Sequence, residues 1–190
     1  QNHDFRGLVS LSDITKEYMD TADTSQIFLN HTPLSNIAET LNASILTGYK
    51  PDLLISGRVF IATMSHEEIQ SMLQKGDIII VAAKDKEYQL AAIRQQISCL
   101  IITRNAKTDE EVLNLAKANN CVIISTPCDT FTTARLICLS APIGPSMTSE
   151  NIISFGIDEF VEDIKDRMSQ TRYRSYPVLD DNNKIQGFIS

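Results

Sequence analysis

Residues 78–83 read IIIVAA, and the same kind of short, almost purely apolar run returns as CLIIT at 99–103 and CVIIS at 121–125. Runs this short and this rich in Val and Ile suit strands buried on both faces, as in a parallel sheet. One more lies upstream, RVFIAT at 58–63. The stretches between them carry apolar residues at helical spacing together with helix-start signals. Ser65 and Glu68 frame HEEIQSMLQK, which Gly76-Asp77 ends. Residues 87–95 form a second helix, Thr108 and Glu111 cap EVLNLAKAN, and Asp129 caps TFTTARLICL. Strands therefore recur about every 20 residues with helices between, the pattern of a mostly parallel sheet built from right-handed crossovers. Further upstream, residues 44–47 are a short strand followed by a turn at Gly48 and Pro51. Pro33 opens a helix carrying Leu34, Ile37, Ala38 and Leu41 on one face. Residues 21–33, up to that proline, read as a polar connector.

The two ends of the chain have a different rhythm. Pro142, Gly144 and Pro145 break the alternation. A strand NIISF, a helix over 158–168, a strand SYPVLD, a turn DDNNK and a strand IQGFIS follow, giving β-α-β-β. At the N-terminus, GLVSLSD (residues 7–13) is an apolar pair, Leu8-Val9, turning into a short helix with Ile14, Tyr18 and Met19 inward. Part of that pattern recurs at Gly187-Phe188-Ile189-Ser190. The first 20 residues are half a folding unit and need partners, which the C-terminal half-unit can supply. With no initiator Met and an end inside an apparent strand, the chain reads as a fragment of a longer protein. The fold class expected is α/β in the middle and α+β at the ends.

Composition narrows the function. The chain has 190 residues, 43% of them hydrophobic and 22% charged, ordinary values for a globular protein with a real core. A net charge of −7 argues against a nucleic-acid surface, though not against a small anion held by a few local cations. No apolar run approaches the ~20 residues of a membrane span, and residues 1–4 do not resemble a signal peptide. Cys99, Cys121, Cys128 and Cys138 have no Cys-x-x-Cys spacing and, Cys128 aside, sit in apolar surroundings, as small core residues of a cytoplasmic protein do. His3, His31 and His66 are scattered without metal-ligand spacing. Gly-x-Ser-x-Gly, Gly-x-x-x-x-Gly-Lys, Gly-x-Gly-x-x-Gly and His-x-x-x-His are all absent, so nucleophilic and metal-dependent catalysis are poorly supported.

Three stretches carry possible binding chemistry. Ser10-x-x-Asp13 has the spacing of a capping box. The same geometry offers helix-start amides and a hydroxyl to a phosphate and a carboxylate to a ribose, and spacing alone does not choose between the two. The Thr-rich junction at 125–133 is either an anion loop at the ligand edge of the sheet or a Pro turn with an Asp cap. Cys128 there has no nearby base that would make it a catalytic thiol. Residues 171–176, TRYRSY, gather cations, hydroxyls and flat rings before a buried strand, and such groups suit phosphate and a base. An ordinary exposed loop fits them equally well.

The pieces resemble two known families. Residues 142–190, with PSMTSENIISFGID and RYRSYPVLDDNNKIQGFIS, resemble the cystathionine-β-synthase-type (CBS) motif. FRGLVSLSDITKEYM at 5–19 resembles the closing third of another such motif. The middle, about 26–140, resembles a DRTGG domain, best at YQLAAIRQQISCLIIT and STPCDTFTTARLI. It departs from that pattern at Lys86, in place of an Arg after Asp85, and at Arg104-Asn105, in place of two glycines after Thr103, and no ligand is carried to this domain. The arrangement is similar to the regulatory region of CBS-containing family II inorganic pyrophosphatases. The resemblance implies CBS-type β-α-β-β-α units flanking a mostly parallel α/β DRTGG domain. The first CBS part would occupy residues 1–20, the connector 21–33, the DRTGG domain 34–140 and the truncated second CBS motif 141–190. It also implies a homodimer in which adenine nucleotides bind the CBS pair, AMP or ADP as inhibitors and diadenosine polyphosphates as activators. They would control a manganese-dependent pyrophosphatase site outside these residues, with no cofactor here. By position, Ser10, Ser12 and Asp13 would hold phosphate and ribose. Thr148 and the backbone at Ile153 would line the adenine slot. Tyr173, Arg174 and Ser175 would meet the base or the phosphates, and Ser190 would be a second phosphate serine. An accessory domain of an acetyl-phosphate enzyme and a purely structural dimerisation module are the alternatives.

Overall fold

The computed structural model describes residues 5–10, 13–14, 27–50, 52–63, 65–82, 86–171 and 173–190. Ser12, Tyr18, Met19, Pro51, Asp85, Arg172 and residues 21–26 lie outside them. The chain divides into two compact units, one of residues 16–142 and one of residues 1–15 with 143–190.

The larger unit is a six-stranded sheet among the described residues. Its strands are β1 (Ile27–Pro33), β2 (Ser44–Thr47), β3 (Leu54–Ile61), β4 (Ile78–Val81), β5 (Cys99–Ile102) and β6 (Val122–Ser125), in the order β1-β3-β4-β5-β6-β2. β3 to β6 run parallel, as the apolar runs predict, and β1 and β2 pair antiparallel at the two edges. The helices are α1 (Leu34–Thr40), α2 (His66–Met72), α3 (Lys86–Arg94), α4 (Glu110–Ala118) and α5 (Thr130–Ile137). Side chains alternate across a strand, so Ile79, Val81, Leu100 and Ile102 meet Ile69 of α2, Ile93 of α3 and Val112 of α4 on one face. Ile78, Ile80, Cys99 and Ile101 meet Leu34 and Ile37 of α1 and Ile137 of α5 on the other. Burial pushes the Cys99 thiol well up and the Cys121 thiol up to about 12, so both act as core residues.

Three local expectations are corrected. Residues 27–33 form a strand, not part of a connector. A bulge between Leu29 and Thr32 puts both side chains inward three positions apart and so erases the period-two pattern. His31 takes φ 46° there and donates its backbone N–H to Ser56 Oγ at 2.8 Å. At α4 the cap is Asp109, which accepts from the Glu111 amide at 2.9 Å, while Thr108 Oγ1 is buried without a partner among the described residues. The helix framed by Ser65 and Glu68 has the full reciprocal capping box, but it stops at Met72 rather than at Gly76-Asp77. The return to β4 is organised by Asp77, 4% exposed, which accepts from Arg58 Nε at 3.0 Å, Arg58 Nη2 at 2.6 Å and the Gln74 amide at 2.7 Å.

The smaller unit contains β7 (Phe155–Gly156), α6 (Val161–Ser169), β8 (Tyr176–Leu179) and β9 (Ile185–Ile189). β7 and β8 are parallel and β8 and β9 antiparallel, the expected β-α-β-β order. The first strand is shorter than NIISF, because Asn151 takes φ 55° and leaves residues 152–154 irregular. The N-terminal half-unit finds its partner here. Leu8 and Thr148 exchange both backbone hydrogen bonds at 2.9 Å, and Phe5 donates to the Asn183 carbonyl at 3.1 Å.

Gly57 in β3 lies so close to the 76–77 turn that an added Cβ would sit 2.1 Å from the Gly76 carbonyl oxygen, at φ +154°. Gly57→Ala is therefore expected to cost about 2–3 kcal/mol of stability, read from urea unfolding. A variant with an unchanged midpoint contradicts that close approach.

Candidate functional site

The N-terminal pairing builds a cavity. Where Leu8 and Thr148 bridge, the chain after Leu8-Val9 turns into a helix start, and the irregular segment after Asn151 faces the loop that precedes β8. Together they enclose about 550 Å³ within the smaller unit. Leu8, Val9, Ile152 and Ile153 supply an apolar wall, and Ser10, Asp13, Thr148, Arg174 and Ser175 supply hydroxyls, a carboxylate and a cation. This mix of an apolar slot with a few polar groups is typical of small-ligand sites.

The helix start carries the reciprocal cap in full. Asp13 Oδ2 accepts from the Ser10 amide at 2.7 Å and from Ser10 Oγ at 2.6 Å, and the Asp13 amide donates to Ser10 Oγ at 3.3 Å. The capping and binding roles of Ser-x-x-Asp are thus compatible, since the capped pair lines the cavity. Tyr173 is 61% exposed and stands edge-on to Tyr176, ring centroids 6.1 Å apart. Tyr176 is buried, packs 5.4 Å from Phe155, and shares a hydrogen bond between its hydroxyl and Thr171 Oγ1. The exposed ring is therefore held by a buried one. Arg167 lies over the other ring, 4.8 Å from the Phe155 centroid, and pairs with Glu159 at 2.7 Å.

Seven of the residues singled out from sequence border this cavity: Ser10, Asp13, Thr148, Ile153, Tyr173, Arg174 and Ser175. Ser12 lies outside the described residues. Ser190 is exposed just after β9 and does not line the cavity. Sequence reasoning did not single out the apolar wall of Leu8, Val9 and Ile152, or Phe188. Their one signal is the alternation along short strands, which marks a buried face but not a ligand.

The Thr-rich junction is built as a turn and a cap. Asp129 Oδ1 accepts from the Thr132 amide at 2.8 Å, and the Asp129 carbonyl accepts from the Thr133 amide at 2.9 Å. The bond from the Thr132 amide holds the Asp129 carboxyl below its usual range. Thr126 Oγ1 donates to the Leu41 carbonyl at 2.6 Å and accepts from the Cys128 amide at 3.2 Å. The Cys128, Thr132 and Thr133 amides are thus already engaged. No group of three His, Cys, Asp or Glu side chains among the described residues is placed to hold a metal ion, and no helix among them is long and apolar enough to cross a membrane.

Comparison with known proteins gives both parts a family. Residues 36–140 match the DRTGG domain and residues 143–190 the CBS domain. The chain is 39% identical over 189 residues to a cobalt-dependent inorganic pyrophosphatase of Clostridium perfringens, covering 100% of this chain and 34% of that protein. It is 24% identical over 184 residues to a probable manganese-dependent inorganic pyrophosphatase of Thermotoga maritima, covering 97% of this chain and 33% of that one. The chain thus spans about a third of the length of these relatives. Its fold is similar to the crystal structure of the CBS and DRTGG domains of the regulatory region of the Clostridium perfringens pyrophosphatase, complexed with the activator diadenosine tetraphosphate. That match has a TM-score of 0.84 and 37% identity, and covers 100% of this chain and 82% of the other.

The two tyrosines separate support from surface. Tyr176→Ala is expected to destabilise the chain by about 3–5 kcal/mol, whereas Tyr173→Ala should shift the thermal midpoint by no more than a degree or two. Equal losses in thermal melts would contradict the division drawn here.

Proposed function

This chain belongs to the DRTGG domain family and carries a CBS domain beside it, and on that premise we propose that it is the adenine-nucleotide-sensing part of an inorganic pyrophosphatase. The observation that carries the reading is the cavity of the smaller unit, where Ser10, Asp13, Thr148, Tyr173, Arg174 and Ser175 line one space. The proposed first CBS part, residues 1–20, contributes Ser10 and Asp13, and the proposed second part contributes the rest. The adenine lies against Ile153 and the Tyr173 ring, with Thr148 at its edge. The Arg174 guanidinium and the Ser175 hydroxyl meet phosphate, and Asp13 accepts from ribose hydroxyls. Ser12 joins the phosphate side, and Ser190 serves a second, pseudo-equivalent pocket.

The Ser10–Asp13 cap gives binding a mechanical consequence. Ser10 has one O–H, and it donates to Asp13. A bound phosphate competes for that proton, so ligand occupancy and the start of the helix are linked. Such a link controls a distant site only if a ligand binds two arrangements with different affinity. We assign AMP or ADP to one arrangement and a diadenosine polyphosphate to the other, the dinucleotide bridging symmetry-related pockets of an isologous homodimer. The name of the neighbouring complex, with its diadenosine tetraphosphate activator, supports that ligand class. Metal-dependent hydrolysis of diphosphate, with manganese or cobalt as in the relatives' names, belongs to catalytic domains outside these residues.

Isothermal titration of the chain with AMP and with diadenosine tetraphosphate tests this. Both should release or absorb heat, and Arg174→Gln should weaken binding about tenfold, the scale of one charge-assisted hydrogen bond, with the melting midpoint unchanged. Heat from neither nucleotide at millimolar concentration would falsify the reading.

A further inference from the structure

In the larger unit, consecutive connections leave the sheet on opposite faces at one place. The link from β5 to β6 runs through α4, whose Val112 and Ala116 pack on one face, and the chain leaving β6 enters α5, whose Ala134 and Ile137 pack on the other. In open α/β sheets such a divergence opens a crevice at the carboxyl ends of the two strands, where ligands bind. A cleft of about 420 Å³ lies at that edge, lined by Ser44, Leu46, Asn105, Lys107, Thr108 and Ser125 among others.

Three features of its lining are not explained by folding. Ser125 is 7% exposed and lines the cleft, yet no hydrogen bond among the described residues engages its hydroxyl. Thr108 Oγ1 is buried and has no hydrogen-bond partner among the described residues. Lys107 makes no ion pair among the described residues, although three acidic residues follow it closely in the chain. Two of these, Asp109 and Glu111, are instead held by Lys86, at 3.5 and 2.6 Å. A buried hydroxyl normally has a partner; Thr108 Oγ1 has none among the described residues, and the Ser125 hydroxyl and the Lys107 cation line the same cleft.

The backbone does not provide the anion contacts. Arg104 and Asn105 both take left-handed conformations, φ 61° and 49°, but their amides donate to the Cys128 and Thr126 carbonyls at 2.9 and 2.8 Å. Those bonds fix the loop, so recognition falls to side chains. We propose that this cleft binds a small metabolite through an oxyanion group, phosphate or carboxylate. Lys107 neutralises the charge, Ser125, Thr108 and Ser44 donate hydrogen bonds, the Asn105 side-chain carboxamide adds a further donor, and Leu46 and Leu113 cover a short apolar part. The site is separate from the cavity of the smaller unit and stands whether or not a nucleotide binds there.

The test is a ¹H–¹⁵N NMR titration of the full chain with sodium phosphate and, separately, sodium acetate, at constant ionic strength against sodium chloride. Phosphate or acetate should move the amides of residues 105–108 and 125 along saturating curves that chloride does not reproduce. Lys107→Gln should weaken the fitted constant about tenfold, and Ser125→Ala about threefold, each with an otherwise unchanged spectrum. Saturation by phosphate alone assigns a phosphorylated metabolite, and by acetate alone a carboxylate. Shifts that match chloride, or equal binding by the parent protein and both variants, overturn the proposal.

Discussion

Strands that meet no water on either side impose the architecture of the larger unit. Every residue of β4 and β5 is at most 2% exposed, and each buried aliphatic side chain is worth about 1.5–3 kcal/mol only if both faces stay covered. Helices must therefore lie on both sides, which places α2, α3 and α4 over one face and α1 and α5 over the other. The switch of face after β6 follows from that demand. One set of crossovers of constant hand would leave the second face bare, and the chain closes it with α5 and with the helix that precedes β2.

Covering both faces leaves the helix ends as the places where polar chemistry is decided. Each helix start presents backbone amides that need acceptors. At Asp129 and at Asp109 a side-chain carboxylate takes that position and occupies the Thr132 and Glu111 amides, which an outside anion would otherwise meet. The Ser10–Asp13 cap is reciprocal, like the one at Ser65 and Glu68, but it lines a cavity. What separates a cap from a binding site is the space beside it, and three-residue spacing carries no information about that space.

This difference explains which features could be read from the chain. The parallel sheet was legible because burial on both faces writes itself as unbroken Val and Ile runs. The cap at Asp129 and the capping box at Ser65 were legible because they are local. β1 was hidden by its bulge, since Leu29 and Thr32 face inward three positions apart. Thr108 looked like a cap because a hydroxyl three residues before a Glu fits the pattern, whereas the neighbouring Asp109 has the charge that wins the amide. Residue chemistry marked Ser10, Asp13 and residues 173–175 separately, and only likeness to a family joined them into one candidate site. Its residues come from segments more than 130 positions apart in sequence, and no periodicity links Ser10 to Ser175.

Arg104 and Asn105 make the same point in reverse. The DRTGG pattern has two glycines there, residues that take left-handed backbone freely. Here two side-chain-bearing residues hold that conformation, at a cost of roughly 1 kcal/mol each and less for Asn. The amide bonds to Cys128 and Thr126 offset that cost. The left-handed path is thus held here without glycines. A pair of glycines exposes bare peptide to whatever approaches, whereas Arg104 and Asn105 project a guanidinium and a carboxamide from the same path. A substitution that leaves the fold untouched can in this way move recognition from the main chain to the side chains, and Lys107, Ser125 and Thr108 lie beside that path.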